Sequence, residues 1–220
     1  MFFMTGDRLR PATRTRHPIL RLEVLASDGT RTTDDRVFCR QRHRSVPVDT
    51  CTACFRCESI LAAPEPAVHC AIVLGDAERE PDPLGSREAV GGILSSGTVA
   101  LGPGNTMGEA LRVLRGEDRR SVAIVDAKHS VVGVVHEGML AATARRLGGL
   151  EGGAISAMSG AVVIHESVPV RRALGLLAAA HLREATVVDD EGLPIGVLHD
   201  VDALRWLIAA RKRAGNHHTP

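Results

Sequence analysis

The sequence predicts an α+β chain in which two copies of one β-α-β-β-α unit face each other behind a small β-rich module that carries the cysteines. Three observations lead there. First, GVVHEGML (133–140) is echoed by GVLHDVDAL (196–204), so Gly133 answers Gly196 and His136 answers His199 at an offset of 63. That offset also carries Asp126 to Asp189 and Ala110-Leu111 to Ala173-Leu174, and a fixed-period echo marks a duplicated supersecondary unit. Second, all five cysteines fall between residues 39 and 70. Third, apolar residues make up 44% of the chain and aromatics only 2%, which calls for a globular core of Val, Leu, Ile and Ala.

Bulk properties exclude several classes. A formal charge of +1 over 220 residues gives no general argument for nucleic-acid or membrane binding. No apolar run approaches the roughly 20 residues that span a bilayer. The start MFFMTGDRLR holds too short an apolar stretch for a signal peptide, and its basic residues follow that stretch. A cytoplasmic protein is expected.

In chain order, residues 1–18 read as a flexible basic tail, with Arg8, Arg10, Arg14 and Arg16 around Pro11 and no apolar periodicity. Residues 19–73 form the cysteine-rich module, which has the character of a zinc ribbon. In it ILRLEVL (19–25) alternates as a strand, Asp28-Gly29 signals a hairpin turn, and a polar run leads on to Val37-Phe38. Cys39, Cys51, Cys54, Cys57 and Cys70 are separated by 11, 2, 2 and 12 residues. A CxxC pair brings two thiolates to one metal from a tight turn, and a tetrahedral zinc takes two more from elsewhere. The expected set is Cys39, Cys51, Cys54 and Cys70, with Cys57 as an alternative ligand and His43 and His69 near enough to substitute. The set Cys39, Cys51, Cys54 and Cys57 crowds three ligands into seven residues and would suit an iron–sulfur cluster better. Unligated thiols or a labile disulfide are the plain alternative.

Residues 74–87, with Pro81 and Pro83, read as a linker. The first repeat spans 88–150. Thr98–Leu101 is a short strand, and Thr106 with Glu109 makes a capping box ahead of the stripe Met107, Ala110, Leu111 and Leu114. Two apolar strands follow at 121–125 and 131–135, and a helix from Glu137 to Leu147 ends at Gly148-Gly149. The second repeat, 151–211, follows the same plan. It has a strand at 161–164, Ser167 as a helix cap, the stripe Val170, Ala173, Leu174 and Leu177, strands at 185–188 and 193–198, and a helix from Asp200 to about Arg211. Residues 212–220 read as a tail whose two histidines are not expected to be ligands.

SVAIVDAKHSVVGVVHEGML (121–140) and EATVVDDEGLPIGVLHDVDAL (184–204) are each a strand, an Asp-containing turn and a Gly-opened strand running into a helix. The doubled order resembles a tandem of cystathionine-β-synthase-type (CBS) domains, the pair often called a Bateman module, over about residues 88–210. The resemblance implies pseudo-twofold stacking, two clefts between the sheets, and an adenosine ligand of the AMP, ATP or S-adenosylmethionine type. Its ligand motif places Ser or Thr three residues after the glycine and an Asp three further on, whose carboxylate accepts both ribose hydroxyl protons. Here the second copy has His199 and Asp202 at those places, and the first has His136 and Met139. This departure predicts unequal clefts, with the second favoured. Further ligand contacts are implied at Ser121, Ser159, Val162, Arg183 and Thr186. The paired histidines could meet phosphate, sense pH near neutrality or bond the backbone at a helix start. Arg120 and Arg183 could reach phosphates or lie solvated.

No GxSxG, HExxH or P-loop is present, so no enzyme activity is expected. The expected function is regulatory: a CBS pair senses an adenosine-type ligand and signals to the metal-binding module and a protein partner. A homodimer through the CBS helices is expected. The alternatives are an iron–sulfur or thiol redox protein, and a nucleic-acid-binding zinc ribbon that uses Arg40, Arg42, Arg44 and Arg56.

Overall fold

The computed structural model describes residues 14–71, 88–94, 97–116 and 119–215. The expected linker at 74–87, residues 1–13 of the expected tail and His217-His218 lie outside them.

The chain opens on a twelve-residue strand, β1 (Arg14–Leu25), whose alternation of apolar and polar side chains sends successive residues to opposite faces. The expected tail is therefore shorter than 1–18, because Arg14 to Pro18 pair with Ala71 to Ala67 of β5 (Ala67–Ala71). Asp28 closes the hairpin by accepting the Thr30 N–H at 2.9 Å, and Gly29 takes φ +83°. The strand β2 (Arg31–Cys39) then runs back along β1. After it come β3 (Arg44–Pro47), the one-turn helix α1 (Asp49–Thr52) and β4 (Cys57–Leu61), which pairs with β5.

The first repeat contains β6 (Thr98–Leu101), α2 (Met107–Gly116), β7 (Ser121–Val125), β8 (Val131–His136) and α3 (Glu137–Leu147). The second contains β9 (Val163–His165), α4 (Val170–Ala179), β10 (Glu184–Val188), β11 (Pro194–His199) and α5 (Asp200–Gly215). Helix α5 carries the chain through residues 212–215 of the expected tail. At the start of α2 the capping box forms: the Glu109 N–H donates to Thr106 Oγ1 at 3.2 Å and the Thr106 N–H to Glu109 Oε2 at 2.7 Å. The cap expected at Ser167 does not form. Helix α4 starts after Pro169, and its Val170 N–H is already satisfied by the Glu88 carbonyl at 2.9 Å, while the Ser167 hydroxyl sits 2.7 Å from His165 Nδ1.

The N-terminal module is not a separate bead. Its strands extend the sheet of the first repeat in the order β3-β2-β1-β6-β7-β8, with β5 and β4 joined to the first half of β1. The second repeat has its own sheet, β11-β10-β9. The join is a parallel pairing of β1 with β6, from Leu22 opposite Thr98 to Leu25 opposite Leu101. One strand thereby feeds four clusters of apolar side chains. Leu20 enters the core of the second repeat, Leu22 and Val24 pack with Ala100, Ala123 and Val125, Leu25 borders the core of the first repeat, and Ile19 packs in the module.

The two repeats also exchange their lead-in segments. Val90, Ile93 and Leu94, which precede the first repeat, pack in the core of the second, and Ala154, Ala157 and Met158 pack in the core of the first. Main-chain bonds fix both crossings: the Val90 N–H to Val168 O at 2.9 Å, and the Ala154 N–H to Asn105 O at 2.7 Å. Neither core is complete without the other half of the chain.

The β1–β6 join leaves no room beside Gly97, where an added Cβ would sit 1.8 Å from the Arg21 carbonyl oxygen. Gly97→Ala should force the two backbones apart and cost about 1–3 kcal/mol, as overpacking generally does. Urea unfolding checks this, and a variant as stable as the wild type would show that the strands do not approach so closely.

Candidate functional site

Each Gly-opened strand runs straight into a helix, which puts a histidine at the junction: His136 ends β8 and His199 ends β11. Antiparallel register sets Ser121 opposite His136 and Glu184 opposite His199. The two copies meet here. Ser121 Oγ donates to Glu184 Oε1 at 2.5 Å, a contact between residues 63 apart, so the pseudo-twofold axis passes between them. The other Glu184 oxygen lies 3.3 Å from His199 Nδ1. His136 makes no side-chain cap bond to α3, so the backbone-capping role does not apply to it. A buried carboxylate thus holds one hydroxyl and one imidazole at the centre of the pair.

The remaining expected contacts distribute unequally. Asp202, in the first turn of α5, has its carboxylate 49% exposed and 3.3 Å from Arg205 Nη1. Its counterpart Met139 offers a thioether, 43% exposed. Ser159 is pinned to β8 of the other repeat: its N–H donates to Val134 O at 2.9 Å and its hydroxyl to the same oxygen at 3.3 Å. Gly133 allows this approach, since a Cβ there would lie 2.9 Å from Ser159 O and 2.1 Å from Met158 Sδ. Val162, Arg120 and Arg183 are exposed. Thr186 is turned into the interior of β10, so it is not presented to a ligand, and the Ser121 hydroxyl is committed to Glu184.

In the module, Cys51 is buried beside Val37, Val46 and Val68, and Cys39, Cys57 and Cys70 pack against the same group. Cys57 and Cys70 face each other across β4 and β5. Cys54 lies in the turn between Cys51 and Cys57. Burial pushes the Cys51 thiol up to about 11, with the other four cysteines adding to it, and burial also raises Cys57 and Cys70. These side chains are therefore protonated thiols at neutral pH unless something displaces the protons. Among the described residues no three His, Cys, Asp or Glu side chains are arranged as a finished metal site. His69 Nδ1 lies 3.2 Å from Ser59 Oγ, and His43 occupies a left-handed turn position at φ +51°.

The CBS domain profile matches residues 90–143 and 154–209, together half of the chain. The chain belongs to the CBS-domain family. No curated protein sequence matches it. Solved structures resemble the CBS pair in fold. The CBS domain protein PAE2072 from Pyrobaculum aerophilum, complexed with AMP, is 24% identical over 57% of this chain and 99% of its own, with a TM-score of 0.50. The CBS domain pair of protein MJ0100, in complex with 5′-methylthioadenosine and S-adenosyl-L-methionine, is 21% identical over 55% and 96%, with a TM-score of 0.48.

The CBS pair meets the module through charges that carry no sequence motif. Arg36 of β2 is buried and pairs with the buried carboxylate of Asp189 at the β10–β11 turn, with Asp34 at 3.4 Å and Glu191 at 3.7 Å. Fully buried Glu166 accepts the Ser45 N–H at 2.7 Å and the Ser45 hydroxyl at 2.5 Å. Arg40 and Arg44, expected to face nucleic acid in one reading, instead lie 3.1 Å from Glu88 and 3.9 Å from Asp190. Between the two parts opens a small cleft of about 140 Å³, lined by Arg42, Arg44 and Thr50 on one side and Asp190 and Glu191 on the other. No helix among the described residues is long and apolar enough to cross a membrane.

Burial raises the Glu166 carboxyl above its ordinary value; Asp189 adds to this, while the Ser45 hydrogen bonds and His165 oppose it. An acid whose pKa rises on folding binds protons better in the fold. Its stabilising contribution is present below the unfolded value and is lost as pH rises through the folded one. The stability of the wild type relative to Glu166→Gln should therefore fall between about pH 4 and about pH 7. Urea titrations across that range test it, and a difference that is flat or grows with pH would refute the assignment.

Proposed function

We propose that this protein is a cytoplasmic regulatory sensor whose CBS pair binds an adenosine-type nucleotide, mainly in the second cleft, and transmits binding to the N-terminal module. The observation that carries the reading is the inequality of equivalent positions: Asp202 presents a half-exposed carboxylate where Met139 presents a thioether. A ribose seated at Asp202 exchanges water for a charge-assisted acceptor. One seated at Met139 loses water and gains nothing, at about 1–3 kcal/mol for each unsatisfied hydroxyl. Two such losses weaken binding by roughly a hundredfold or more. Transmission has a short route, because β11 leads to His199 and α5 at one end and its turn holds Asp189, the partner of Arg36, at the other. A zinc ion in the cysteine cluster would give the module a fixed body for that signal to act on.

Calorimetric titration with AMP and with ATP tests the sensing role. The expected result is one site per wild-type chain, loss of measurable binding in Asp202→Ala, and gain of a second site in Met139→Asp. An isotherm for Asp202→Ala identical to that of the wild type would overturn the reading.

The same sensor is proposed to act as a homodimer. Val201, Leu204 and Ile208 form an exposed apolar stripe on α5, and Leu147 is exposed at the end of α3. A twofold pair is the commonest way to cover a self-complementary patch. Sedimentation at tens of micromolar should give twice the 23.4 kDa chain mass; a single-chain mass would rule the dimer out.

A further inference from the structure

We propose that Cys39, Cys51, Cys57 and Cys70 bind one zinc ion as four thiolates, and that Cys54 stays outside the coordination sphere. This deepens the metal-binding part of the reading above and does not depend on nucleotide binding. It also exchanges one member of the set that sequence spacing favours, Cys54, for Cys57.

The choice rests on which elements deliver the sulfurs. Cys39 ends β2, Cys51 lies in α1, Cys57 opens β4 and Cys70 is in β5. These four pack around one group formed by Ile19, Val37, Val46 and Val68. Cys57 and Cys70 are direct cross-strand partners, and such pairs hold their Cβ atoms about 4.5–5.5 Å apart on one face of the sheet. Two thiolates at about 2.3 Å from a tetrahedral zinc lie roughly 3.8 Å from each other, which side chains at that separation reach by rotation about χ1. Cys51 is set on the neighbouring wall, because its N–H bonds Val48 O at 2.8 Å while the Val48 N–H bonds Asp35 O of β2 at 3.0 Å. That chain of bonds ties α1 to the strand that ends in Cys39. Cys54 does not join the packed group; it makes the turn, donating its N–H to Cys51 O at 3.1 Å and accepting the Cys57 N–H at 3.0 Å.

One sulfur from each of four elements suits a single tetrahedral ion. An iron–sulfur cluster more usually draws on closely spaced ligands such as the triplet 51, 54 and 57. Binding breaks four S–H bonds, forms four Zn–S bonds and releases four protons to solvent, with no change of oxidation state. In a segment with so small a core, that binding energy is largely folding energy. The metal would therefore brace the module whose other side is held by Glu166 and Asp189 of the CBS pair.

Elemental analysis of the full-length protein should find one zinc per chain. Cys54→Ser should keep one equivalent, while Cys57→Ser and Cys70→Ser should each fall below about a tenth of one. Because either loss could follow from misfolding, the chelator-stripped wild type and Cys54→Ser are also titrated with cobalt(II) alone. Both should develop, at one equivalent, the visible bands and thiolate charge-transfer absorption of a tetrahedral four-sulfur site. A wild type that takes up no cobalt, a brown protein with iron and acid-labile sulfide, or loss of zinc from Cys54→Ser but not from Cys57→Ser would each overturn the proposal. An AMP isotherm unchanged in Asp202→Ala would leave it standing.

Discussion

The structure depends on one strand serving several cores. β1 pairs with β2 and β5 in the module and with β6 in the CBS pair, and its side chains reach all four apolar clusters. Strand geometry makes this possible, since twelve residues at about 3.3 Å each span roughly 40 Å, longer than either repeat's own strands. Leu20 in particular removes apolar surface from water in the second repeat although its strand is bonded to the first. The module and the CBS pair therefore share packing energy as well as a boundary, and a change in one is felt in the other.

Much of the repeat architecture was legible because duplication writes itself twice. Gly133 with Gly196, the stripes of α2 and α4, and the capping box of Thr106 and Glu109 all reflect local rules of periodicity and hydrogen bonding. What escaped was non-local. Nothing in Val90 to Leu94 says that these residues pack with the far repeat, and nothing in Ser167 says that a carbonyl from Glu88 will take the place of its hydroxyl. Strand β1 was found at its apolar half only, because Arg14 to His17 owe their extended form to pairing with β5 rather than to any pattern of their own.

The candidate site was half legible for the same reason. Asp126 and Asp189 stood out as equivalent turn residues, and they do the same local work. Asp126 Oδ1 accepts the Lys128 and Ser130 N–H groups at 2.8 and 3.0 Å, and Asp189 Oδ1 accepts those of Glu191 and Leu193 at 2.9 Å each. Only Asp189 then uses its second oxygen, to pair with Arg36. Likewise Ser121 and Glu184 occupy equivalent places, and it is their difference that makes the bond between the copies. The repeats keep a common backbone and differ in the polar groups they carry, so the informative residues are those that break the symmetry.

The buried pairing of Arg36 with Asp189 joins residues 153 positions apart. On a ribosome that adds about 5–20 residues each second, Arg36 emerges roughly 8–30 s before its partner exists. Through that interval β2 carries a guanidinium destined for burial with no carboxylate from the second repeat to receive it, and β1 waits for β6 and for the core that Leu20 will enter. The amino-terminal segment, first to be made, is thus among the last to reach its final surroundings, and the nascent chain must keep its cysteines and its exposed strand edges from other partners until the final third of the protein has been synthesised.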